Sequence, residues 1–374
     1  QSADARFNIN TEQGNFSFSA SEVPFGESQA ALNGRVQIDR VPNTRQLTTS
    51  EEEQDFPALT QAGDDVYLAY VEFIHGDRSK ASAGQLRTPP SDMNVLARAV
   101  GGDQVKLMHY SKQKRAWDWL EAVTPSGQDI WRTSVAVDGQ RRVWVVWSAF
   151  RDKTYDIYAR YRDADGKWAP EMRLTTDPGN DLNPVAVTDI RGRVWVAWQG
   201  YRNGSLDVLA AAQDGDKFTK EQRVSTSAYS DWDPVIAASP KGEVVVAWDT
   251  YDKGDYDVYF RRLRWQGGLK MDAPVAAAAS EKFEARPTAA FDTQGRLWLA
   301  YEGSEDKWGK DFGAYETTGI ALYQGHTIRL KCFDGNRVLG TADALDEVLP
   351  ANWNRARGRR RAAQASAENT FKGP

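Results

Sequence analysis

The 374-residue chain has one cysteine, Cys332, and three histidines, His75, His109 and His326. A lone cysteine excludes an internal disulfide. Scattered histidines without a His-x-His pair exclude the usual zinc patterns, so neither a transition metal nor a cofactor is expected. Neither charge sign dominates: 47 Lys plus Arg face 52 Asp plus Glu, a net charge of −5. Such a balance gives no general attraction for nucleic acid. No apolar run reaches the ~20 residues of a membrane-spanning helix. Helical periodicity is absent up to about residue 340. A nucleophile elbow and a phosphate-binding glycine loop are absent too. No two carboxylates stand apart as a glycosidase pair. The chain is therefore expected not to be an enzyme, and no catalytic residue is assigned.

What is present is a repeat. Val143-Trp144-Val145-Val146-Trp147, Val194-Trp195-Val196-Ala197-Trp198 and Val244-Val245-Val246-Ala247-Trp248 are copies of one phrase. From Trp147 to Trp198 is 51 residues and from Trp198 to Trp248 is 50. Asp156, Asp207 and Asp257 recur at 51 and 50. A period in this range with short strands inside each unit means stacked or radial repeats, and four strands per unit means propeller blades. In each unit a first strand follows a Pro, and a Gly turn such as Asp138-Gly139 leads to a second strand. That second strand lacks polar alternation, as expected of one buried on both faces. The third strand starts at the repeated Asp and the fourth ends in Leu-Thr or Val-Ser.

Weaker copies flank these, Pro57 to Tyr70 and Pro287 to Tyr301. The 77 residues from Tyr70 to Trp147 place an insertion within Phe73 to Asp92. Arg6-Phe7-Asn8-Ile9, Asn15-Phe16-Ser17-Phe18 and the strands near Val36 and Leu47 suggest one more unit. The fold class expected is an all-β propeller of six four-stranded blades, with five and seven as alternatives. It spans residues 1–335, followed by a short helix and a basic extended tail over 336–374. Trp147, Trp198 and Trp248 are expected to fill the space between blades. A chain starting at Gln1 without a hydrophobic leader is expected to be a mature exported protein, periplasmic or extracellular.

The segment from Asp55-Phe56-Pro57 to Lys331-Cys332-Phe333 resembles secreted bacterial propellers with TolB-type and sialidase-type repeats. More closely, it resembles the N-terminal propeller of large exported bacterial proteins that often continue into a metal-dependent hydrolase-like domain. Val71-Glu72-Phe73-Ile74-His75-Gly76-Asp77-Arg78, Asp249 to Asp257 and Lys307 to Tyr315 carry this likeness. It implies fold and lineage. The hydrolase activity is not implied, because no His-x-His follows the repeats.

Loops on a rigid scaffold are where binding usually resides. The second-to-third connections combine aromatic and charged residues. The candidate binding face is Arg151, Asp152, Tyr201, Arg202, Tyr251, Asp252, Lys253 and Trp308. Asp156, Asp207 and Asp257 are expected to serve the repeat itself by accepting turn N–H bonds. Asp181, Asp231 and Asp233 are carboxylates that a hard cation takes, but no calcium-loop pattern supports one, and no metal site is assigned. The tail offers Trp353, Arg355, Arg357, Arg359, Arg360 and Arg361 as an interface, since Arg pairs with carboxylates and phosphates. The expected function is a non-catalytic subunit of a larger, membrane-associated assembly. Its expected partners are other protein subunits, with peripheral membrane contact, no nucleic acid and no membrane span of its own. The alternative is a carbohydrate-binding or carbohydrate-active propeller using the aromatic loop face.

Overall fold

The computed structural model describes residues 5–11, 14–23, 36–38, 46–75, 101–304 and 326–340, the first three stretches as backbone alone. Among the described residues there are strands and no helix. Most of the insertion after Phe73, Trp308, and the C-terminal tail from residue 341 on, with its tryptophan and arginines, lie outside them, while Arg337–Gly340 of the expected tail is strand.

The strands run β1 (Ala5–Thr11), β2 (Gly14–Val23), β3 (Val36–Ile38), β4 (Glu53–Ala62), β5 (Asp65–Phe73), β6 (Asp103–Ser111) and β7 (Ala116–Ala122). Then come β8 (Ile130–Val137), β9 (Val143–Arg151), β10 (Thr154–Arg162), β11 (Met172–Arg173), β12 (Asp181–Thr188), β13 (Val194–Arg202), β14 (Ser205–Asp214), β15 (Lys217–Phe218) and β16 (Gln222–Arg223). The last are β17 (Asp231–Ala238), β18 (Val244–Thr250), β19 (Asp257–Trp265), β20 (Leu269–Met271), β21 (Val275–Ala278), β22 (Glu284–Phe291), β23 (Leu297–Gly303), β24 (Thr327–Asp334) and β25 (Arg337–Gly340).

Two compact units divide the chain. One, residues 46–225 with 265–270, holds three antiparallel blade sheets: β4-β5-β6-β7, β8-β9-β10-β11 and the sheet of β12 to β16. Its first strands β4, β8 and β12 contact one another in turn. The other unit, residues 1–45, 226–264 and 271–374, contains the first strands of two more sheets, β17 and β22. The all-β propeller class read from the repeat is therefore what the structure has, with five blade sheets among the described residues. The N-terminal strands do not form a sixth. β2 pairs with β25 through Ser21↔Gly340, so β1, β2 and β3 extend the last sheet. A short hairpin has little stability alone and gains it by joining an existing sheet edge.

The apolar second strands are buried throughout, as their lack of alternation required: Trp147 is 0 % exposed, Trp198 1 % and Trp248 2 %. Trp147 packs with Ala69, Val71 and Leu107 of the preceding sheet. Trp198 packs with Trp144, Val146 and Ile157. Trp147 and Trp198 thus fill the gaps between neighbouring blades.

The repeated aspartates are structural, but not by the expected bonds. Asp156 accepts from Arg173 at 2.7 Å and from the Thr175 hydroxyl, Asp207 pairs with Arg223, and Asp257 pairs with Lys253. They are buried carboxylates that need a cation rather than turn caps. The turn is capped elsewhere. Asp138 Oδ1 accepts from the backbone N of Gln140 and Arg142, and its Oδ2 from the Trp144 indole at 2.8 Å. Asp189 does the same for Arg191, Arg193 and Trp195, and Asp292 for Gln294, Arg296 and Trp298.

Candidate functional site

A bulge in each first strand positions the site. In β12 the register shifts between Leu182 and Val185, in β17 between Trp232 and Val235, in β22 between Ala285 and Thr288, and in β4 between Asp55 and Ala58. β8 shifts between Ile130 and Arg132. The bulge holds Phe56, Trp131, Asn183, Asp233 and Arg286 in successive blades, and in β8 Arg132 follows it, paired with Ser148. Four of these have left-handed backbone, with φ of 51° at Phe56, 55° at Asn183, 46° at Asp233 and 53° at Arg286, and each precedes a Pro. Non-glycine residues are uncommon there. Bulges re-aim side chains, and strain of this kind gathers at functional positions. The proline and the aromatic that follow are constant or nearly so, because every blade needs them. The bulge residue differs in every blade, so blade architecture does not dictate it.

In the three-sheet unit these residues meet. The Trp131 indole donates to Asn183 Oδ1 at 2.7 Å. The Asn183 amide donates to Gln199 Oε1 at 2.9 Å. The Phe56 and Trp131 rings lie 5.8 Å apart, and the Arg132 guanidinium sits 5.3 Å from the Phe56 ring centre. At the same end of the sheets Trp131, Phe150 and Tyr201 are 44 %, 43 % and 47 % exposed. Backbone bonds tie these ends to the entry of each first strand: Phe150 N to Asp129 O, and Tyr201 N to Asn180 O.

Beside them lies an open cleft of roughly 730 Å³, lined by Gln128, Asp129, Phe150, Arg151, Arg160 and Glu171 among others. Arg151 holds Glu171 through both carboxylate oxygens, donates to Gln128 Oε1 at 2.9 Å, and lies 4.2 Å from the Tyr158 ring centre. Tyr155 Oη donates to Asp129 Oδ1 at 2.7 Å. Burial, and then the Asp129 carboxylate, raise the Tyr155 hydroxyl above its ordinary range. It therefore stays a donor at all working pH values. One unit thus presents exposed rings, a fixed guanidinium, an amide and carboxylates.

The expected face divides in the structure. Arg151 lines the cleft. Asp152 sits at an exposed turn tip, 3.9 Å from Arg173. Tyr201 is exposed, while Arg202 turns inward to Asp181 at 2.9 Å and Glu221 at 3.0 Å. Burial pushes the Asp181 carboxyl up to about 7, against the pull of Arg202. Gly200 leaves the room this carboxylate needs, since a Cβ there would strike Asp181 Oδ1 and Leu209.

In the other unit, Tyr251 packs 5.0 Å from Tyr256 within its own aromatic cluster. Asp252 lies beside it, half-buried, and Lys253 is bound to Asp257. Asp249 is buried and pushed up to about 7, first by burial and then by Asp233 and Asp231, although the Arg286 N–H opposes the shift. Among the described residues no group of three or more His, Cys, Asp or Glu side chains is arranged to hold a metal ion.

Trp131, Arg132, Asn183 and Phe56 went unread in the sequence. The one signal was the place of Phe56 and Asn183 beside the recurrent proline; β8 has Thr133 there, and Trp131 and Arg132 carry no such mark.

No protein-family model matches the chain, and no curated protein does. Among solved structures, the fold is similar to a protein of unknown function from Dyadobacter fermentans. The two share 11 % identity and a TM-score of 0.51 over 90 % of this chain and 94 % of that one. It is also similar to a polysaccharide lyase, an ulvan lyase (13 % identity, TM-score 0.48, 79 % and 71 % covered). A leech intramolecular trans-sialidase follows (8 % identity, TM-score 0.44, 80 % and 64 % covered). These identities show the fold, a β-propeller, and nothing finer. The expectation of a non-catalytic subunit of a membrane-associated assembly is corrected here. The similar structures of stated activity are carbohydrate-active proteins, and the tail on which the docking argument rested lies outside the described residues. Among the described residues no helix is long and apolar enough to cross a membrane.

Proposed function

We infer that this protein is a carbohydrate-binding propeller whose ligand lies on the Trp131 face of the three-sheet unit. The observation that carries the reading is the half-exposed Trp131 ring, fixed by its indole bond to Asn183. Phe150 and Tyr201 are exposed at the same strand ends, beside a polar cleft. Sugars offer an apolar C–H face and a rim of hydroxyls. Rings with polar neighbours match both, and an aromatic already fixed in place loses little entropy on binding. The cleft supplies the polar rim, with Gln128, Asp129, Arg151 and Glu171 as donors and acceptors at fixed positions. Asp181 and Asp249 hold protons near neutral pH, but both are sealed from solvent, so the geometry supports binding rather than turnover. A location outside the cytoplasm, expected from the sequence, belongs to this reading.

The test is calorimetric titration of the full chain with a panel of neutral and acidic oligosaccharides, repeated with Trp131→Ala and Tyr201→Ala. Trp131→Ala is expected to weaken binding by at least about tenfold, roughly 1.4 kcal/mol, with the melting temperature nearly unchanged. Failure of every saccharide to bind, or full binding by both variants, rejects the reading.

A further inference from the structure

We propose that Arg132 forms a subsite for the oxyanion of an acidic saccharide, a uronate carboxylate or a sulfate ester. This rests on the saccharide reading above and names the ligand class. Arg132 directly follows Trp131, the bulge residue of β8, and its guanidinium lies over Phe56. It is half-buried, yet its Nε is sealed from solvent with no hydrogen-bond acceptor. Among the described residues it has no carboxylate partner.

Its neighbours in the same unit are treated differently. Arg142 is bound to Asp138, Arg151 to Glu171, Arg162 to Glu121, Arg173 to Asp156 and Arg202 to Asp181. Arg160 and Arg193, which have no carboxylate, donate to backbone carbonyls instead, so each of these partly buried guanidinium groups has an acceptor, whereas the Nε of Arg132 has none. A contact with a ring face attracts the cation but satisfies none of its N–H donors. An unsatisfied buried donor and a half-desolvated cation both raise the free energy of the empty site. An oxyanion supplies the acceptors and the charge together, and carboxylate and sulfate both match the planar fork of arginine. Trp131 and Phe56 flank the position, so a sugar ring stacked on Trp131 brings its acidic substituent within reach of Arg132.

The experiment titrates the full chain with three probes: oligogalacturonate, which carries carboxylates alone; carrageenan oligosaccharides, which carry sulfates alone; and neutral arabinan oligosaccharides. Wild type is expected to prefer one acidic probe, with affinity falling as salt rises. Which probe is preferred distinguishes carboxylate from sulfate. Arg132→Gln is expected to lower that affinity by about tenfold or more and to leave any neutral binding unchanged. Arg132→Lys, which keeps the charge but not the fork, is expected to fall between. It also serves as the readout if the glutamine variant fails to fold. Equal affinity for neutral and acidic probes, or no loss in either variant, overturns this inference while leaving the saccharide reading intact. Binding to none of the probes overturns this inference, and the wider panel above then decides the saccharide reading.

Discussion

Trp147 and Trp198 hold the same place in successive blades but differ by one hydrogen bond. Trp198 Nε1 donates to Asp181 Oδ1 at 2.9 Å, whereas Trp147 Nε1 is buried without a partner. Phenylalanine at 198 leaves the Asp181 carboxyl one donor short; at 147 it removes an unsatisfied donor. Trp198→Phe is therefore expected to cost about 1 kcal/mol more than Trp147→Phe, measured by urea unfolding. Trp147→Ala is expected to cost about 3–5 kcal/mol through the cavity it leaves between blades. Equal costs for the two phenylalanine variants would show that the indole bond contributes nothing. The burial of both rings was legible in the sequence, because an unbroken apolar strand has no face to give to solvent. The unequal bonding was not, since Asp181 and Trp198 come together only through strand pairing and the space at Gly200.

At the scale of the element, the first-to-second turn illustrates how much a repeat reveals. Glycine marks the turn, but the aspartate that organises it stands in the turn itself and not at the head of the third strand. Asp189 satisfies two backbone N–H groups and the Trp195 indole. Ser239 stands in its place in the next repeat, accepting from Lys241 N at 3.1 Å, and valine (Val245) replaces the tryptophan. Asp189→Ala is expected to cost about 2–4 kcal/mol and Ser239→Ala about 1 kcal/mol or less. Comparable losses in chemical denaturation would remove the turn-capping role given to Asp189. Ser239 breaks the repeat of this aspartate, whereas the aspartates at the head of the third strands recur in three consecutive copies, Asp156, Asp207 and Asp257. The bulge is a second feature that one-dimensional patterning conceals. It inserts one residue, and the side-chain alternation on either side of it still reads as a continuous strand.

For the whole molecule, buried acids set the response to pH. Asp181, Asp249 and Asp257 are each pushed up to about 7, in every case chiefly by burial. Their unfolded values lie near ~4. Between those limits the folded chain holds protons that the unfolded chain has released, so stability falls as pH rises. The acids held low by partners, such as Glu121 by Arg162 and Asp292 by its turn N–H groups, act in the opposite sense. Their stabilisation is lost only as pH drops below the ordinary carboxylate range. The melting temperature is therefore expected to fall by roughly 5 °C from about pH 5.5 to about pH 8, and Asp257→Asn is expected to flatten that slope. Calorimetry at four pH values checks this, and a flat or rising profile counts against it.

The repeat period, the apolar second strands and the glycine turns determined the blade and the propeller class, because each is a local demand that every unit must meet. Charge balance and the lack of metal-ligand spacing likewise needed no coordinates. The tertiary structure decided what is specific to single blades. It placed the N-terminal strands on the edge of β25, paired the repeated aspartates with basic side chains, and gathered Phe56, Trp131, Arg132 and Asn183 from three blades. These residues are up to 127 positions apart, from Phe56 to Asn183, and carry no common motif. Only the contact between successive first strands, and the bulge that turns each side chain, makes them one site.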